Sequence, residues 1–207
     1  MTTSALRDLN EFDAFIRYPI AVEIVKKVKS LHEPTLDQMV SARKPFGLTT
    51  AVKPTESGDI TLRCRGGKGP FERSKILAGR DIIDKWKIII SYLTAEHAGQ
   101  PDKNGQFRVL STMEELGPGE VCTETYLVAG AFDTKEEADN YMDYLTTKFV
   151  RFLLQQIAIT QHISRSTFRY IPVQDFKEGW TDKKLYAKYG LTSEEVDFIE
   201  KMIKEMK

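Results

Sequence analysis

The residues best suited to chemistry crowd into one stretch, ITQHISRSTFRYIPVQDF, which runs from Ile159 to Phe176. Gln161, His162, Ser164, Arg165, Ser166, Thr167 and Arg169 stand there between apolar neighbours. A histidine beside serines suggests nucleophilic catalysis, yet neighbours in sequence do not make a triad, and no glycine elbow presents either serine. Metal chemistry fares no better: His32, His97 and His162 share no ligand spacing, and Cys64 and Cys122 do not join them. Nucleic-acid contact is the third possibility. Gln and Arg match adenine and guanine edges bidentately, while Ser and Thr reach phosphate or base. The competing reading is plain: Ser164 or Ser166 satisfies backbone groups near a helix end.

Other motifs weaken on inspection. Gly66-Gly67-Lys68-Gly69 lacks the spacing of a phosphate-binding Walker loop and the Ser or Thr after its lysine, so a turn between two strands is expected. Asp-x-Lys or Glu-x-Lys triplets begin at Asp133, Asp175, Asp182 and Glu205, but no partner acid is placed on a strand as a metal-dependent nuclease requires. Helix, glycine turn and helix from Asp182 to Met206 imitate a DNA-reading pair. Glu194, Glu195, Asp197 and Glu200 crowd the first turns of the second helix, where they suit the helix dipole and repel phosphate. No catalytic apparatus is recognisable, and no glycine-rich nucleotide fingerprint follows a strand.

The elements that position these residues follow from periodicity. Tyr18-Pro19 opens a helix on which Ile20, Ile24, Val25 and Val28 recur, over about 19–33. Residues 59–65 alternate, with Ile60, Leu62 and Cys64 on one face and Thr61, Arg63 and Arg65 on the other. Trp86 to Tyr92 reads as a more buried strand, Phe107 to Leu110 as a short one, and Val121 to Val128 as another. Thr134 and Glu137 have capping-box spacing before a wide apolar stripe, which predicts one long helix over 135–158. Thr181 and the Thr192–Glu195 box start two helices of a tail over about 181–206, with Gly190 between them.

With 41% apolar and 29% charged residues, the 207-residue chain reads as a globular α+β domain. Its sheet is expected to be mixed and mostly antiparallel, packed against the long helix, with the terminal helices outside. Cys64 and Cys122 sit in apolar segments, where a small buried thiol is expected. No signal-peptide layout or membrane-length apolar run is present, so the bacterial cytoplasm is the expected location. Formal charge is zero but unevenly spread. Residues 43–87 hold eleven Lys or Arg against five acids, whereas residues 111–147 hold nine acids and one base. Such a partition can place a basic face on a neutral protein, as a phosphate backbone needs.

Five ordered segments carry a family resemblance: RKPFGLTT from Arg43, DKWKIIIS from Asp84, CTETYLVAGAFDTKEEADN from Cys122, YLTTKFVRFLLQQIAITQHISRSTFRYIPVQDF from Tyr144, and WTDKKLYAKYGLTSEEVDFIEKMIKEM from Trp180. Together they resemble the C-terminal region of bacterial type II restriction–modification proteins with an adenine-specific methyltransferase, including forms fused to a nuclease. In that family the region recognises the DNA target. The S-adenosylmethionine site and the Asn-Pro-Pro-Tyr-type motif lie upstream, and neither is found in this sequence. The resemblance therefore implies a single target-recognition domain over residues 1–207, without its own cofactor or activity. It would be a domain, a truncated product or a separate subunit. Double-stranded DNA and a methyltransferase, with or without a nuclease, are the implied partners.

On that reading Arg43, Lys44, Arg63, Arg65 and Lys68 are the expected phosphate contacts. Gln161, Ser164, Arg165 and Thr167 are the expected base contacts, with Arg169 beside them. The alternative is a protein-interaction module that docks the methylase or nuclease without touching bases, through the acidic 111–147 region or the terminal helices.

Overall fold

A computed structural model describes residues 12, 14–92, 101–110, 112–157 and 163–206. The element order is α1 (Pro19–Ser30), β1 (Ile60–Cys64), β2 (Gly67–Phe71), β3 (Trp86–Ser91), β4 (Met113–Leu116), β5 (Glu120–Cys122), β6 (Tyr126–Phe132), α2 (Lys135–Thr146), α3 (Lys148–Ile157), α4 (Asp182–Lys188) and α5 (Ser193–Met202). The fold is α+β, with two three-stranded sheets ordered β2-β1-β5 and β4-β3-β6. The single parallel pairing among these strands is β1 with β5; the other three strand pairs are antiparallel.

Strand β3 explains why the layers stack. Its Ile88 and Ile90 join a core with Leu127 and Ala129 of β6 and the apolar faces of the helices. Ile89 points the other way, into a second core with Leu62, Phe71, Val121, Tyr126 and Val128. Successive strand residues face opposite sides, so a run of three isoleucines demands cover on both. Burying each contributes about 1.5–3 kcal/mol. The helices cover one face and the β2-β1-β5 sheet covers the other.

Lys87 lies in this wall on the second-core side and is fully buried. Its ammonium donates to the carbonyls of Ile83 at 2.8 Å, Lys85 at 2.5 Å and Gly117 at 3.1 Å. It thereby pins the turn before β3 to the turn between β4 and β5. Burial pushes its pKa down to about 8.

The predicted helix over 135–158 is two helices. Thr147 adopts an extended backbone (ψ 147°), and its hydroxyl accepts from the amide of Val150 at 3.2 Å. The Asp182 carboxylate accepts from the amides of Lys148 and Phe149 at 3.1 and 2.8 Å. These caps satisfy the free amides of α3, so the break costs little. The apolar stripe runs across it, from Leu145 to Phe149, and conceals it in sequence.

Two expected strands also differ. Residues 121–128 divide at a turn over Thr123–Thr125, so that β5 pairs with β1 while β6 pairs with β3. Phe107 makes only an isolated bridge to Ile203, and Leu110 is in the left-handed region (φ 55°), where a strand cannot continue. Strand β4 has no counterpart in the sequence reading, and β2 enters it only as the far side of the turn at Gly66–Gly69. The capping prediction holds fully at Thr192, where Glu195 reaches back to the Thr192 amide at 2.7 Å. At Thr134 it holds by half, because Glu137 takes the Thr134 hydroxyl at 2.9 Å instead of the amide. Both cysteines are buried free thiols. No helix among the described residues is long and apolar enough to cross a membrane.

Lys87→Met should lower unfolding free energy by about 2–3 kcal/mol, because it removes three bonds from a charged donor and leaves the Lys85 carbonyl without one, while Ile83 and Gly117 keep the amides of Gly119 and Glu120. The lysine keeps its proton to 10.5 when unfolded but releases it near 8 when folded. The unfolded state therefore binds more protons in that window, and wild-type stability should rise with pH there relative to Lys87→Met. Denaturant melts of both proteins across the alkaline range measure it.

Candidate nucleic-acid interface

The strip that looked chemical becomes a compact turn. Residues Arg165–Phe168 form a 3-10 helix with Ser164 as its N-cap, and Thr167 closes a capping box by accepting from the Ser164 amide at 3.2 Å. Thr167 is buried and its hydroxyl is committed to this cap, so it does not stand at the surface as a base contact. Ile163, Phe168 and Ile171 anchor the turn in the core, as their apolar spacing predicts. Ser164, Arg165 and Ser166 remain exposed, with the Ser164 and Ser166 hydroxyls 2.9 Å apart. Gln161 and His162 lie outside the described residues, as does His97.

Arg165 is held from a distant part of the chain. Its Nε donates to the Val40 carbonyl at 2.8 Å, just before Arg43 and Lys44. The Ile163 amide donates to the Tyr92 carbonyl at 3.1 Å, and the Arg43 guanidinium lies 4.9 Å from the Tyr92 ring centroid. Thus Arg43–Lys44 and Ser164–Arg165, some 120 residues apart in the chain, form one exposed neighbourhood joined through Val40 and Tyr92. Lys44 sits there in the left-handed region (φ 62°), a conformation that disfavours any side chain with a Cβ. Arg169 is turned elsewhere. It donates to the Ser166 carbonyl at 2.8 Å, lies over Tyr170, and lines a cavity of about 300 Å³ with Lys29 and His32.

The expected basic face is partly cancelled by the acidic segment. Glu124, at the turn between β5 and β6, is buried. Its carboxylate meets Arg43 at 3.3 Å and Lys44 at 3.8 Å, and accepts the Thr50 amide at 3.2 Å. Glu114 of β4 takes Arg63 at 2.6 Å and Lys68 at 3.2 Å, and Glu120 of β5 takes Lys68 at 2.9 Å. Burial pushes the Glu114 carboxyl up, but hydrogen bonds from Arg63 and Lys68 outweigh it and hold the pKa below the usual 4.5. The guanidinium of Arg63 also lies 5.2 Å from the Tyr126 ring centroid. Arg63 and Lys68 therefore brace one sheet against the other, whereas Arg43 and Lys44 keep about half of their side chains exposed (56% and 47%). Arg65, at the β1–β2 turn, is exposed and has no carboxylate partner among the described residues.

Sequence reasoning missed Glu124, Tyr92 and the Val40 carbonyl. The available signal was the charge complementarity between residues 43–87 and 111–147, which pointed to mutual pairing as readily as to a basic face.

Elsewhere, a cleft of about 580 Å³ between α3 and the C-terminal tail contains none of these residues. Lys148 spans it to Glu200 and Glu205, both at 2.5 Å. The α4–α5 pair packs instead of projecting: Glu195 is buried and paired with Lys27 of α1 at 2.6 Å. Among the described residues, no three His, Cys, Asp or Glu side chains are grouped to hold a metal. No protein-family model, curated protein or solved structure matches the chain.

Glu114→Gln should loosen both Arg63 and Lys68. Because the folded carboxyl titrates below 4.5, the stability advantage of wild type should be complete above that value and vanish as pH falls through the folded pKa. Urea melts of the two proteins through the acid range test the sign.

Proposed function

We propose that this chain is a DNA-binding target-recognition domain of a restriction–modification system, which directs an adenine methyltransferase, or a methylase fused to a nuclease, to a duplex site. The convergence of Arg43–Lys44 with Ser164–Arg165 supports this most. It gathers cations and a hydroxyl-lined turn on one exposed neighbourhood, where phosphate contacts and base contacts can act together. The left-handed Lys44 adds to it, since strained backbone persists where the side chain's position matters. The five resembling segments supply the partner class. S-adenosylmethionine would bind in the methyltransferase partner, and none of these residues is assigned to it.

Glu124 has a definite role in this reading. It holds Arg43 and Lys44 side by side without covering them, so their outward N–H groups stay available to phosphate. A second reading, docking of the methylase or nuclease without base contact, draws its support from Arg63 and Lys68, whose charges are spent inside the protein.

Wild-type affinity for duplex DNA should fall steeply with salt. The combined Arg43→Ala, Lys44→Ala, Arg165→Ala protein should show a log–log slope shallower by about 0.9 for each phosphate it no longer neutralises. A flat salt response in wild type would discard DNA binding in favour of the docking reading. Lys44→Gly gives an opposed pair of signs. It should raise stability by about 1 kcal/mol through relief of the left-handed strain, yet weaken DNA binding, as thermal melts and titrations would reveal.

A further inference from the structure

We infer that the tip of the β1–β2 hairpin, Arg65–Gly66, is an insertion element that enters a groove of duplex DNA and presents Arg65 to a base edge. The inference rests on the DNA-binding reading above and concerns how the site is read. The hairpin is tight: Cys64 pairs with Gly67, leaving only Arg65 and Gly66 at the tip. Its stem is electrically settled, because Glu114 and Glu120 take up Arg63 and Lys68. Arg65 is the hairpin cation that remains, exposed and without a carboxylate partner among the described residues.

Gly66 supplies the independent clue. Gly67 needs to be glycine, since its φ of 130° is closed to other side chains. Gly66 does not, because its φ is ordinary and a Cβ added there meets nothing within 4 Å. Folding gives no reason to omit a side chain at an exposed turn position with room for a Cβ. Close approach by another molecule's surface does give one. The stem is firmly held: β1 also pairs with β5 through Thr61–Arg63, and Gly69 faces Pro54. Only Arg65 and Gly66 lie beyond the paired residues, and an arginine at such a tip can bond guanine O6 and N7 together. Because the stem has no surplus charge, the attraction concentrates at the tip instead of spreading along the phosphates.

The test is selection from a randomised duplex pool by the full 207-residue chain, followed by titration of Arg65→Ala, Arg65→Lys and Gly66→Leu on the selected site. Arg65→Ala should lose preference for guanine at one position by about 5- to 150-fold. Arg65→Lys should lose much of that preference while keeping the salt slope. Gly66→Leu should melt at the wild-type temperature, since the added side chain enters open space, yet bind the selected site at least about tenfold more weakly by holding the tip away from the bases. Unchanged affinity and base preference in all three variants, with wild type binding well, would overturn the hairpin assignment and leave the DNA reading standing. Absence of duplex binding by wild type would remove both. If the variants instead lost only their hold on a methyltransferase subunit, the tip would be a protein contact and the inference would fail.

Discussion

Strand β3 must be buried on both faces, and the rest of the molecule answers that constraint. Three successive isoleucines cannot all face one way on a strand, so Ile88 and Ile90 draw in the helices while Ile89 draws in the second sheet. Covering both faces commits α1, α2 and α3 to one side and β1, β2 and β5 to the other. Lys87 is the exception that this wall tolerates, because three carbonyls surround its ammonium. Those same bonds hold the turns that set β3 against β4 and β5.

Once the second sheet is placed, the chain's uneven charge finds its purpose. Glu114, Glu120 and Glu124 lie on strands or at a turn that the stacking brings beside Arg63, Lys68, Arg43 and Lys44. Partly buried pairs of this kind gain more from Coulomb attraction than exposed pairs do, but they also lose hydration. Their main effect is positional. They lock the stem of the hairpin and the loop before Phe46, leaving Arg65 and the outer parts of Arg43 and Lys44 toward solvent. The proposed recognition surface is what remains after this internal pairing.

Much of the architecture was legible because it depends on local rules. Pro19 at the start of α1, the Thr181 and Thr192 caps and the alternation at Ile60, Leu62 and Cys64 act within a few residues of themselves. Elements whose logic is long-range were not legible. Strand β4 reads Met-Glu-Glu-Leu, and its acids suit a strand only because Arg63, Lys68 and Lys135 arrive from elsewhere. The break at Thr147 needs Asp182, 35 residues further on in the chain, to cap the amides it exposes.

The same division runs through the candidate site. Residue types determined by themselves that the stretch after Ile159 carries polar groups between apolar anchors, and Ile163, Phe168 and Ile171 do anchor it. The competing reading placed the backbone bonding on Ser164 or Ser166; in the folded chain it is Thr167 that takes the Ser164 amide, which removes Thr167 from the surface. Only the tertiary structure decided which charges are spent and which are left. Whether an arginine faces solvent or a glutamate depends on strands far apart in sequence, and composition records the charges without their distances. Arg63 and Arg65 are alike in sequence and two residues apart, yet one braces two sheets and the other stands at an open turn.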